Sequence, residues 1–316
     1  MSGTASTAGP TNTASTASPA CTAHDLTFGQ RFLERAASFG PVCVGIDPHA
    51  SLLEHWGLPV SVKGVEAFTR TCVEAFRDSA CVVKPQVAFY EAFGSAGFAI
   101  LERAIADLRS SGVLVIADAK RGDIGSTMAG YARAWLDDES PLCVDAVTVS
   151  PYLGVGSLQP VFDLAEETNR GAIVLAATSN PEAPGLQLAT VPSEPSEPSE
   201  PNDYENSDTA SSDTLTVAQS VVDAVARTNA GHEGAGNMGV VVGATVQQPP
   251  SLAQVNGLIL MPGVGAQGGT MADVRRIAAG AEQLACPNVS RSVLSHGPGV
   301  VALRETLATT TAAILN

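Results

Sequence analysis

Short apolar runs alternate with stretches of helical spacing along most of the chain, and this alternation constrains the fold more than any other feature. Runs at 42–46, 81–86, 113–117, 144–149, 172–177, 238–244, 258–261 and 289–294 read as eight strands. Runs this short and this continuously apolar are buried on both faces, as in a parallel sheet covered by helices. Between them, apolar residues recur at intervals of three and four. Leu26, Phe28, Phe32, Leu33, Ala36 and Ala37 do so first, and 65–76, 94–109, 127–136, 215–226 and 300–315 follow the same spacing. Strands and helices in this order predict an α/β fold, a (β/α)8 TIM barrel, as a single domain over 24–316. A doubly wound open sheet is the rival, but no GxGxxG follows the first strand.

Two stretches stand outside the alternation. Residues 1–23 are rich in Ser, Thr, Ala and Gly, lack the basic-then-apolar order of a signal peptide, and are expected to form a disordered tail. Around 190–212 the chain repeats Ser-Glu-Pro three times and continues acidic without Lys or Arg, so a disordered insertion is expected there. No run is long enough for a membrane span. The six cysteines form no CxxC pair and no metal-like spacing with the five histidines. Reduced thiols in a cytoplasmic protein, with no metal, are therefore expected. A net charge of −15 disfavours nucleic acid and anionic membrane as partners. It also repels an anionic substrate at long range, so any phosphate site must be built from local donors.

The strand at 113–117 runs into three charges, Asp118, Lys120 and Asp123. Strand alternation places Asp118 and Lys120 on one face. In a barrel, charges at the C-terminal ends of strands converge, which brings Lys84 from the second strand to the same place. Lys120 is then a cationic proton donor with the Asp118 carboxylate held against it, although a structural ion-pair network is the plainer alternative. Asp123 lies in the loop leaving the strand, outside easy reach of its own site. A second constellation joins residues 262–269, Pro-Gly-Val-Gly-Ala-Gln-Gly-Gly, to Ser290-Arg291-Ser292. Barrels commonly bind phosphate with the loops after strands seven and eight, so backbone amides, Gln267 and Arg291 are the expected donors. Arg121, Lys120, Lys84 and Arg291 together are expected to supply a positive mouth. His49 beside Asp47 reads as a loop histidine.

Residues 118–124, Asp-Ala-Lys-Arg-Gly-Asp-Ile, form a DxKxxD[IV] pattern that resembles the orotidine 5′-phosphate decarboxylase family. The likeness extends through Gly45-Ile46-Asp47-Pro48-His49, Lys84-Pro85-Gln86, Ser150-Pro151-Tyr152-Leu153-Gly154, Thr178-Ser179-Asn180-Pro181 and the two phosphate segments. The longer form looks like the family's second type. The resemblance implies decarboxylation of orotidine 5′-monophosphate to UMP in de novo pyrimidine synthesis, with no cofactor. It implies that Lys120 donates a proton to C6 and that Asp118 lies against the departing carboxylate. Lys84 and Asp47 would hold ribose hydroxyls, Ser150 and Ser179 would lie near the base, and Gln267 and Arg291 would hold the phosphate. It further implies a homodimer in which Asp123 and Thr127 are contributed to the neighbour's site. Alternatives are a Mg²⁺-dependent sister enzyme on a sugar phosphate, such as a hexulose-phosphate synthase or keto-gulonate-phosphate decarboxylase, or a non-catalytic phosphate-ligand sensor.

Overall fold

The computed structural model describes residues 25–191 and 214–315. Eight parallel strands close into a barrel: β1 (Cys43–Ile46), β2 (Val82–Pro85), β3 (Leu114–Arg121), β4 (Ala146–Val149), β5 (Gly171–Ala177), β8 (Met238–Val242), β9 (Ile259–Pro262) and β10 (Ala285–Val289), with β10 returning to pair with β1. Two short strands, β6 (Thr190–Val191) and β7 (Leu215–Thr216), form a separate antiparallel ribbon. Every residue of β1, β2, β4 and β8 is buried, the pattern of strands covered on both faces.

Helices α1 (Phe28–Phe39), α2 (Ala50–His55), α3 (Val62–Phe76), α4 (Ala88–Glu91), α5 (Gly94–Ser110) and α6 (Gly125–Leu136) belong to the first half of the chain. The second half adds α7 (Gln159–Thr168), α8 (Pro184–Gln187), α9 (Val217–Asn229), α10 (Met271–Ile277), α11 (Arg291–Leu294) and α12 (Val300–Leu315). Starts follow side-chain chemistry. Thr27 and Gln30 close a capping box on α1, Thr270 and Asp273 close another on α10, and Thr216 caps α9.

Helix α1 decides which end of the barrel is open. Its Phe28 and Phe32 are fully buried and join the interior cluster of Cys43, Val82, Ile116, Ile173 and Leu258. Each such side chain contributes roughly 1.5–3 kcal/mol by leaving water. Arg31 donates to Asp145 at 2.5 Å just ahead of β4, and the Gly29 amide donates to the Gly236 carbonyl at 3.1 Å ahead of β8. Among the described residues these contacts cover the N-terminal end and leave the end where the strands finish for a ligand.

Some boundaries differ from the sequence reading. The last strand is Ala285–Val289 rather than 289–294, and Arg291–Leu294 is a short helix. Pro287 and Asn288 interrupt the apolar run and hide this strand. Asn288 is nonetheless accommodated, its amide donating to the Cys43 carbonyl at 3.1 Å. Leu215 and Thr216 belong to the ribbon, and α9 starts only after them. The sequence spacing predicts no helix at α2, α4, α7, α8 or α10, whose apolar repeats are too short to show. The expected tail and nearly all of the expected insertion lie outside the described residues; Thr190 and Val191 are inside and pair with Thr216 and Leu215. Cys43, Cys72, Cys81 and Cys286 are free, buried thiols, and Cys143 is buried as well.

Candidate active site

Strand β3 does not end at Ala117 but continues through a bulge. Ala117 pairs with Val147 and Arg121 with Val149, so β3 advances four residues while β4 advances two. Within the bulge Lys120 adopts φ +49°, a left-handed conformation that a lysine holds only when its surroundings enforce it. The bulge aims Asp118 and Lys120 at the open mouth.

Asp118 is the hub. Its Oδ2 accepts from Lys84 Nζ and from Gln86 Nε2, both at 2.8 Å. Its Oδ1 accepts from Lys120 Nζ at 2.5 Å and from Thr148 Oγ1 at 3.0 Å. Those donors use about all the lone-pair sites a carboxylate offers. Burial alone pushes the Asp118 pKa up, but the charges and hydrogen bonds of Lys84 and Lys120 outweigh it and hold the carboxyl well below the usual range. For Lys84, burial works to lower the pKa, and the nearby Asp118 and Asp47 overcome it, so the net direction is upward. Both groups are therefore ions at neutral pH. Their side chains are 5% and 10% exposed, whereas that of Lys120 is 46% exposed. Lys84 is nearly sealed from solvent although it lines the cavity over this cluster, whereas Lys120 is open to both ligand and solvent.

A cavity of about 260 Å³ lies over this cluster. Asp47, Lys84, Gln86, Asp118 and Lys120 form one side, and Leu175, Val241 and Leu260 lie beneath, continuous with the barrel interior. Pro262, Gly263, Val264, Gln267, Asn288, Ser290 and Arg291, from β9 and β10 and the loops that follow them, also line it. The loop after β9 turns through Gly263, Gly265 and Gly268, all at positive φ between +73° and +101°, where other residues are strained. Gly45 is required for a different reason: a Cβ there would lie 2.0 Å from Ser290 Oγ and 3.1 Å from Asp47 Oδ1. Asp47 Oδ1 itself is buried and accepts no hydrogen bond from the described residues. It is an acceptor aimed at a cavity, suited to a ligand hydroxyl.

Six expected residues thus come together: Asp47, Lys84, Asp118, Lys120, Gln267 and Arg291. Asp123, Thr127, Ser150 and Ser179 do not line the cavity. Asp123 accepts from the Ile124 amide at 2.8 Å in the loop before α6, and Thr127 is exposed on that helix. The Ser150 amide donates to the Arg121 carbonyl at 2.7 Å, and Ser179 packs against Gly243. Arg121 does not join the positive mouth. It pairs with Glu91 and lies over the rings of Tyr131 and Trp135, because the bulge turns its side chain outward. The cavity still holds three cations, Lys84, Lys120 and Arg291, against two carboxylates, Asp47 and Asp118. That local excess suits an anionic ligand despite the net charge of −15. Gln86 and Thr148 join the site as partners of Asp118, which strand periodicity does not predict. For Thr148 the available signal was a hydroxyl inside the apolar strand Ala146–Val149, and for Gln86 its place in the Lys84-Pro85-Gln86 segment.

The chain is similar to known proteins in sequence and in fold. Residues 40–195 match the family described as Orotidine 5′-phosphate decarboxylase / HUMPS. The orotidine 5′-phosphate decarboxylase of Corynebacterium glutamicum (strain R) is 56% identical over 290 residues, covering 91% of this chain and 97% of that protein. That of Salinispora tropica is 50% identical over 279 residues, covering 88% and 93%. A crystal structure from Streptomyces avermitilis superposes with a TM-score of 0.83 at 46% identity, covering 92% of this chain and 95% of that one. The Leishmania donovani OMP decarboxylase structure gives 0.64 at 28% identity, with 92% and 99% covered. With half or more of its residues shared over nearly the full length of such relatives, and the Asp118 cluster at the mouth of the same barrel, the chain belongs to the orotidine 5′-phosphate decarboxylase family.

Proposed function

We propose that this chain decarboxylates orotidine 5′-monophosphate to UMP and CO2 in de novo pyrimidine synthesis, with Lys120 delivering the proton to C6. The observation that carries the reading is one cavity holding Lys84, Asp118 and Lys120 on one side and Gln267 and Arg291 on the other. The phosphate docks on Arg291, Gln267 and the glycine-rich loop, where a bidentate fork and backbone amides fit its oxygens. Asp47 and Lys84 take ribose hydroxyls, and the base lies over Leu175, Val241 and Leu260; Ser150 and Ser179, which do not line the cavity as it stands, reach the edge of the base when the site closes.

The bond from C6 to the carboxyl carbon breaks, CO2 departs, and the electron pair remains on C6. The Lys120 ammonium stabilises that charge and transfers a proton to it. Lys120 is left as a neutral amine and recovers its proton from solvent, which its half-exposed side chain reaches. Asp118 stays ionised beside the departing carboxylate and keeps both lysines in place. Binding energy from the phosphate closes the site and aids the distant chemical step. This chemistry needs no cofactor or metal.

The site is shared between two copies. Asp123 adjoins Ile124, and its loop lies against the Ser150 loop that carries Tyr152 and Leu153; these three apolar side chains are 62%, 77% and 54% exposed. A second barrel burying these apolar side chains brings its own Asp123 and Thr127 to the first subunit's ligand. The protein is a cytoplasmic homodimer of the family's second type, one barrel domain with an acidic insertion at about 190–212 and a tail at 1–23. Incubation with orotidine 5′-monophosphate, followed by ultraviolet absorbance, tests the reading. Lys120→Ala should retain UMP binding and lose turnover by about a thousandfold or more. Unchanged turnover in that variant refutes the assignment of Lys120.

A further inference from the structure

We infer that Thr148 is a positioning residue for the reaction: its hydroxyl locks the Lys120 backbone and the Asp118 carboxylate into one geometry. The inference rests on the reading of Lys120 as the proton donor. Thr148 lies on β4, is 1% exposed and does not line the cavity. It touches the site from behind. Its Oγ1 donates to Asp118 Oδ1 at 3.0 Å and accepts from the Lys120 backbone amide at 2.9 Å. A hydroxyl has one proton to give and lone pairs to receive, so both bonds form at once.

The consequence comes from the bulge. Because β3 slips against β4 between Ala117 and Arg121, the Lys120 amide has no regular ladder partner on β4. The Thr148 hydroxyl fills that place. Lys120 also sits at φ +49°, which an L-residue leaves unless held. A side chain pinned at its own amide, with its ammonium on a carboxylate pinned by the same hydroxyl, has little freedom to move. Proton delivery depends on that placement, and a displacement of about 1 Å can cost about a hundredfold in rate.

Thr148→Val keeps the branched shape and removes the hydroxyl, leaving the Lys120 amide unpaired and Asp118 one donor short. Thr148→Ser keeps the hydroxyl. Steady-state kinetics with orotidine 5′-monophosphate, calorimetric binding of UMP and thermal unfolding are measured on wild type and both variants. The expected result is a fall in kcat of about 30- to 100-fold for Thr148→Val, with UMP affinity within about threefold of wild type. Thr148→Ser should recover most of the rate. If the valine variant is not obtained folded, Thr148→Ala takes its place in the same comparison. A kcat within about threefold of wild type in the hydroxyl-free variant overturns the inference, as does a loss of UMP affinity parallel to the loss of kcat. Failure of Thr148→Ser to recover rate also overturns it. Absence of turnover in the wild type refutes instead the functional reading on which the inference rests.

Discussion

Lys84 and Lys120 donate to opposite oxygens of one carboxylate, Lys84 to Asp118 Oδ2 at 2.8 Å and Lys120 to Oδ1 at 2.5 Å, yet their side chains are 5% and 46% exposed. Similar bonds therefore carry different energetic weight. Removing Lys84 takes from a buried carboxylate its one buried cation and leaves it a half-exposed lysine and two neutral donors, at a cost of about 3 kcal/mol. Removing Lys120 breaks a solvent-screened bond worth below about 1 kcal/mol. Denaturant unfolding of Lys84→Ala and Lys120→Ala should show that order while both lose turnover. Equal destabilisation would contradict the division between a nearly sealed charge and an accessible donor.

The same pair sets a pH dependence of stability with two edges. Asp118 has a native pKa below its unfolded value, so its contribution is present above about pH 4 and is lost as pH falls through the native value. Lys84 has a native pKa above its unfolded value, so its contribution is present below about pH 10 and is lost as pH rises toward the native value. The stability difference between wild type and the apolar double variant Lys84→Met/Asp118→Leu should be flat from about pH 5 to 9. Outside that range it should move toward the double variant at both ends. Unfolding midpoints at a series of pH values measure it, and a slope across neutral pH would be inconsistent with both groups being ionised there.

Asp47 Oδ1 is buried with no hydrogen-bond donor among the described residues. A lone acceptor of this kind costs stability, so Asp47→Ala should leave the unfolding free energy within about 1 kcal/mol of wild type. It should weaken UMP binding by about 10- to 100-fold, the value of a hydrogen bond to a charged group. Calorimetry and denaturant unfolding separate the two effects. Undiminished UMP affinity would exclude Asp47 from the ribose site.

Asp123 is absent from the cavity that holds Lys120. If it serves a neighbour, Lys120→Ala and Asp123→Ala chains should each be inactive alone and active once mixed and allowed to exchange subunits. Random pairing leaves about a quarter of sites intact. Tyr152, 77% exposed on the adjoining loop, should be part of the contact, and Tyr152→Glu should produce monomers in analytical ultracentrifugation. No activity in the mixture would mean that Asp123 does not cross between subunits.

Hydrophobic periodicity and motif position identified the barrel, the open end and six residues of the cavity, because those follow from local order along the chain. A buried strand announces itself by its apolar run, and parallel strands carry their last residues to one mouth. Lys84, Asp118 and Lys120 could be read from that rule alone, and Gln267 and Arg291 from the glycine-rich loop and the final strand's end, whereas Asp47 came only with the family resemblance. Pro287 and Asn288 broke the pattern of β10, so its limits had to come from its pairing with β9 and β1.

What the tertiary structure decided is the register. Four residues of β3 set against two of β4 turn Lys120 into a left-handed conformation, send Arg121 outward to Glu91, and put Thr148 behind Asp118. None of this leaves a trace in hydropathy, since a bulge changes which strands' atoms meet and not which residues are apolar. The residue types at the site belong to the sequence; their distances and charge states exist only once neighbouring strands are aligned.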